Sequence, residues 1–163
     1  MQVDEFNAMD AEEAASLVRA CADIDSWVTA IVDGRPYDDL AALLDHADAR
    51  ARAWSGEEVE RALADHPRIG EQHRGTGTSA LLSSREQGGV GTDANVQDRL
   101  AAGNAAYEER FGRIYLVRAA GRSAEEILAL LEDRLGNDPE TELRVTAGQL
   151  REIALLRLEG LVQ

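Results

Sequence analysis

The chain has 163 residues, 31 acidic against 17 basic, and a formal net charge of -14. That length can bury a sizeable core in a single domain over residues 1–163, and the charge argues against a nucleic-acid surface or an anionic-membrane binder. All 17 basic residues are arginine, which excludes a Schiff-base lysine for pyridoxal phosphate and a Walker A phosphate loop.

The acidic start, Met1-Gln2-Val3-Asp4-Glu5-Phe6, has neither the basic n-region nor the apolar h-region of a signal peptide. No run approaches the length of a bilayer span. The lone Cys21, in Ala20-Cys21-Ala22, reads as a small core residue. A cytoplasmic protein that does not engage membranes is expected.

Asp10 is placed to cap a helix through about Cys21, with Glu13 completing a capping box, and a second helix is predicted from Ile24 or Asp25 towards Val32. Asp33-Gly34-Arg35-Pro36 is a turn. Tyr37 to Trp54 reads as a longer helix, with Leu40, Leu43, Leu44 and Ala47 on its apolar side and His46 beside it. Ser55-Gly56-Glu57-Glu58 opens a short helix to Asp65, in which Val59, Leu63 and His66 follow at i, i+4 and i+7. His66 therefore continues the apolar face, and Pro67 ends the helix there.

Gly70 to Thr78 reads as loop, Ser79 to Gln87 as a short helix, and Gly88-Gly89-Val90-Gly91-Thr92 as the break after it. Asp93 or Asn95 begins a helix with Val96, Leu100, Tyr107 and Phe111 on one stripe. Ile114-Tyr115-Leu116-Val117 is strand-like in composition, but one strand cannot build a sheet, so extended backbone between helices is predicted. Ser123 and Glu126 cap Ala124 to Leu135, which Gly136 ends. Asp138-Pro139 starts the last helix, to Leu161. The fold class is thus all-α: a single compact helical domain of about seven to nine helices with an extended segment near residues 113–118.

Three places carry chemistry. Asp65-His66-Pro67-Arg68-Ile69-Gly70-Glu71 puts an imidazole at a helix C-terminus on a backbone stiffened by proline. Ser83, Glu86 and Gln87 share one helix face by their spacing. In the last helix Leu143, Leu150, Ile153, Ala154, Leu158 and Leu161 form a stripe with Arg157 in its middle, where a guanidinium must snorkel, pair with a carboxylate or meet an anionic ligand.

Each has a plainer explanation: a cap or core histidine, a capping box, a structural ion pair. In so acidic a chain a carboxylate substrate needs a local positive island, for which Arg157 and Arg68 are the candidates. His66 and His73 match no H-E-x-x-H arrangement and Pro67 interrupts between them, so no metal site is expected. A noncatalytic helical protein-interaction module is the alternative reading. It predicts that His66, Glu86 and Arg157 lie far apart, whereas the enzyme reading requires them around one pocket.

Together with Asn104-x-x-Tyr107-x-x-x-Phe111-Gly112 and Arg157-Leu158, these motifs resemble the 2-oxo-4-hydroxy-4-carboxy-5-ureidoimidazoline (OHCU) decarboxylase family, which takes the last step from urate to (S)-allantoin. The resemblance implies a carboxy-lyase that needs no cofactor and acts on a small molecule. It implies His66 as the proton-transfer residue and Glu86 as the group that orients substrate or imidazole. Ser83 and Gln87 would read ring and ureido amides, and Arg157 would clamp an anionic or carbonyl oxygen. Pro67, Ile114, Tyr115, Leu116 and Val117 would complete the substrate contacts, and a homodimer is implied.

Overall fold

The computed structural model describes residues 1–64, 66–69 and 94–163. Among them are eight helices and no strand: α1 (Val3–Ala8), α2 (Ala11–Cys21), α3 (Asp25–Asp33), α4 (Leu40–Ala51), α5 (Gly56–Leu63), α6 (Ala94–Phe111), α7 (Ala124–Arg134) and α8 (Pro139–Leu161). The all-α expectation holds. The loop predicted over Gly70 to Thr78, the helix over Ser79 to Gln87 and the break over Gly88 to Thr92 lie outside the described residues.

Two compact units divide the chain: Met1–Ala62 with Leu150–Gln163, and Leu63–Gln149. In the first, Asp10 caps α2 by accepting from the Glu12 amide at 2.8 Å. Buried Ala14, Val18 and Cys21 form the inner face of α2, and buried Trp27, Val28 and Ile31 that of α3. The Trp27 indole donates to the Ala47 carbonyl of α4 at 2.9 Å, which satisfies the one polar atom of a fully buried ring.

Helix α4 is shorter than predicted. Asp39 caps it through the Ala42 amide at 2.8 Å. Tyr37 is held outside because Asn7 bonds both its backbone groups, accepting from its N–H and donating to its carbonyl, each at 2.8 Å. Helix α1, which supplies Asn7, was not predicted; its reciprocal signal is the Gln2 amide donating to Glu5 at 2.7 Å, with Phe6 as its one buried residue.

In the second unit α6 and α7 pack together around Leu100, Tyr107, Ile127 and Leu131, in a core cluster that also holds Ile69, Tyr115 and Val117. Gly103 permits the close approach, since a β-carbon there would collide with the Leu131 side chain. Gly112, at φ 72°, turns the chain out of α6 in a conformation that favours glycine. Residue 113 lies in a bend and residues 114–119 belong to no helix or strand, with Tyr115, Leu116 and Val117 buried. Ser123 caps α7 through the Glu126 amide at 3.2 Å, and Asp138 caps α8 through the Thr141 amide at 2.9 Å.

The predicted apolar stripe of α8 is only partly apolar. Leu150, Ile153, Ala154 and Leu158 are buried, but so are Glu142 and Thr146, two turns and one turn before Leu150, while Leu143 and Leu161 are half-buried. Glu142 is tolerated because Arg134 of α7 donates to it at 2.7 Å, Tyr107 at 2.7 Å and Asn137 at 2.9 Å.

Candidate active site

Helix α5 leads into the first motif. Its capping box is formed: the Ser55 amide donates to Glu58 at 2.9 Å, and the Glu58 amide donates to the Ser55 hydroxyl at 3.1 Å. The Glu58 carboxyl is held below its ordinary range by the Ser26 hydroxyl and the Ser55 amide. The helix then stops at Leu63, two residues before the predicted end at Asp65. The His66 amide donates to the Leu63 carbonyl at 3.0 Å, three residues back, so His66 sits in a tight turn after the helix. Pro67 favours this exit because the residue before a proline avoids the αR region. His66 and Pro67 are both half-buried.

The two residues after Pro67 are gripped by α6. Asn104, 5% exposed, donates from Nδ2 to the Ile69 carbonyl at 3.2 Å. One turn further along, Glu108 accepts from Arg68 Nε at 2.5 Å and from Arg68 Nη2 at 3.1 Å. This two-pronged pairing neutralises the guanidinium. Arg68 is thus committed to Glu108 and is a poor candidate for the positive island. Beside it, a cavity of about 290 Å³ is lined by Arg68, Ile69, Gln97, Leu100, Asn104 and Glu108, among others.

The segment over residues 113–118 is anchored from its buried side. Arg134 donates to the Leu116 carbonyl at 2.7 Å, and its guanidinium lies 4.8 Å from the centre of the Tyr115 ring and 5.9 Å from that of Tyr107. The Arg118 amide donates to Gln149 at 2.9 Å, and the Tyr115 hydroxyl to the Ile127 carbonyl at 2.9 Å. Burial raises the Tyr115 phenol to about 12 and also raises that of Tyr107. Ile114 is half-buried. Ile69, at the end of the His66 motif, and Tyr115 and Val117 of this segment belong to one core cluster, so both candidate pieces are built on the same packing.

Arg157 lies in the first unit, 4% exposed, with Nη1 at 3.4 Å from the Ala20 carbonyl and 3.5 Å from that of Cys21. These carbonyls end α2, where the macrodipole favours a cation. Ser83, Glu86, Gln87 and His73 lie outside the described residues. Among the described residues no cluster of His, Cys, Asp and Glu could hold a metal ion, and no helix is long and apolar enough to cross a membrane.

The OHCU decarboxylase family model matches residues 7–159. The chain belongs to that family. It is 31% identical to the 2-oxo-4-hydroxy-4-carboxy-5-ureidoimidazoline decarboxylase of Mus musculus, over 99% of this chain and 93% of the mouse protein. Identity to the enzyme of the same name from Amia calva is 28%, over 100% of this chain and 95% of the relative. Identity to the uric acid degradation bifunctional protein of Bacillus sp. (strain TB-90) is 25%, over 98% of this chain but only 32% of that longer protein. A crystal structure of OHCU decarboxylase in the presence of (S)-allantoin superposes with a TM-score of 0.73 at 24% identity, covering 88% of this chain and 94% of that one. That of (S)-allantoin synthase gives 0.73 at 19% identity, over 100% of this chain and 54% of the other. These two likenesses show a shared fold.

Periodicity and motif spacing do not single out Asn104, Glu108, Arg134 and Glu142, which hold the candidate segments in place. The available signal is that Asn104 belongs to the Asn104-x-x-Tyr107-x-x-x-Phe111-Gly112 motif and Glu108 follows it by one helical turn.

Proposed function

We propose that this chain decarboxylates OHCU to (S)-allantoin, without a cofactor, in the breakdown of urate. The family match over residues 7–159 carries the reading, and the turn that fixes His66 between α5 and Pro67 supports it. The substrate carboxylate leaves from a carbon next to an imine. The C–C bond breaks, carbon dioxide departs, and the electron pair delocalises into the ring, so the substrate is its own electron sink. The protein has to hold the carboxylate out of the ring plane and deliver one proton to one face.

In this reading His66 transfers that proton and Glu86 orients substrate or imidazole by hydrogen bonding. Ser83 and Gln87 read the ring and ureido amides, while Pro67 and the backbone of Ile114, Tyr115, Leu116 and Val117 line the substrate. Arg157 presents a planar fork to an anionic oxygen, the arrangement a lysine could not reproduce. The protein acts in the cytoplasm as a homodimer.

The test is direct. Protein dialysed against chelator is given freshly generated OHCU, and the product is resolved by enantiomer. The expected result is accelerated decarboxylation with (S)-allantoin in excess. A rate equal to spontaneous decay, a racemic product, or activity that returns only with an added metal contradicts the proposal.

A further inference from the structure

The segment His66-Pro67-Arg68-Ile69 is bracketed from both sides. Ahead of it, the His66 amide is tied to the Leu63 carbonyl at the end of α5. Behind it, two residues one turn apart on α6 take hold of the next two positions: Glu108 grips the Arg68 side chain and Asn104 the Ile69 main chain. Pro67 in the middle has its φ fixed by the ring. A rotation of the His66 backbone would therefore have to strain the Pro67 ring, break the paired hydrogen bonds of Arg68, or strip the Ile69 carbonyl of its buried donor.

We infer that Glu108 and Asn104 are positioning residues for the reaction, holding the His66 imidazole in its proton-transfer geometry through Arg68 and Ile69. Resting as it does on the assignment of His66 as the proton-transfer residue, this adds the groups that aim it. The Arg68 and Glu108 side chains are 47% and 26% exposed, so solvent screens their ion pair and it contributes little to stability. Its contribution to rate is another matter, since misplacing a reacting group by about an ångström can cost roughly 10²-fold. An exposed pair that matters to rate and not to folding is experimentally separable.

The experiment compares Glu108→Ala, Glu108→Gln, the reversed pair Arg68→Glu/Glu108→Arg, and His66→Asn, measuring kcat, KM, melting temperature and the imidazole Cε1–H signal that His66→Asn removes. The expected result is a fall in kcat of about tenfold for Glu108→Ala and less for Glu108→Gln, with KM changed by less than about twofold. Melting temperature should shift by only about 2–4 °C, and the imidazole signal should broaden or move. The reversed pair should recover most of the lost kcat.

Wild-type kcat in Glu108→Ala, or a reversed pair no better than the single variants, overturns the positioning role. If Arg68 were instead a substrate anion receptor, freeing it from Glu108 would lower KM, which also overturns it. Full activity in His66→Asn would show that the underlying assignment had failed, whereas an inactive His66→Asn beside a fully active Glu108→Ala would remove the positioning role alone.

Discussion

Arg134 and Glu142 form a buried ion pair in which Arg134 Nε meets Glu142 Oε1 at 2.7 Å, with side-chain exposures of 7% and 0%. Neither charge is left to one partner. Glu142 also accepts from Tyr107 and Asn137, and Arg134 donates onward to the Leu116 carbonyl and the Thr146 hydroxyl. The network joins α6, α7 and α8 to the segment over residues 113–118, so a stability feature and a piece of the candidate site share the same guanidinium.

Removing one partner should therefore be costly. Glu142→Ala leaves Arg134 buried beside an empty place, and the expected loss is about 3–5 kcal/mol, read as a lowered urea midpoint. A loss under about 1 kcal/mol would mean that water or a rearranged side chain replaces the carboxylate.

Two tyrosines should govern alkaline stability. The Tyr37 hydroxyl donates to the Ile31 carbonyl at 2.6 Å and that of Tyr115 to the Ile127 carbonyl, and burial raises both phenols from 10.0 to about 12. Above the unfolded value the unfolded chain loses these protons first, so the native state binds more protons and stability falls with rising pH. Their contribution is complete below 10 and lost as pH passes about 12. Denaturation midpoints across this window should decline less steeply in Tyr37→Phe and in Tyr115→Phe. An unchanged slope in both variants would contradict the assignment.

Arg157→Lys separates an anchoring role from a clamping one. The structure explains how a buried guanidinium is accommodated, since it faces the last carbonyls of α2. Lysine keeps the cation there, so melting temperature should change little. It loses the planar fork, so kcat/KM should fall by at least about tenfold. A destabilised variant with unchanged kinetics would assign Arg157 to the fold alone.

What the sequence discloses follows the range over which each interaction acts. Asp10, Asp39, Ser123 and Asp138 all cap helices through amides two or three residues away; the caps at Asp10, Ser123 and Asp138 were readable, and so was the exit at Pro67. The start of α4 was misplaced at Tyr37 because the deciding partner, Asn7, is 30 residues distant. Glu142 disturbed the stripe of α8 because Tyr107, which helps to make its burial tolerable, is 35 residues away.

In the candidate site, the position of His66 after a helix was legible from local chemistry. The fate of Arg68 was not, since Glu108 lies 40 residues further on. A periodic pattern records which face is buried. It does not record which charges on that face will find each other.

The central claim is that His66 moves the proton. His66→Asn conserves a polar, hydrogen-bonding side chain in the turn, so its helical circular dichroism and melting temperature should match those of the unsubstituted protein. Steady-state decarboxylation of OHCU by the two proteins, with the allantoin product resolved by enantiomer, is the most direct measurement. The account predicts a kcat at least about 10²-fold lower in His66→Asn and loss of the excess of (S)-allantoin. A folded His66→Asn protein that retains near-normal kcat and enantiomer ratio would contradict it.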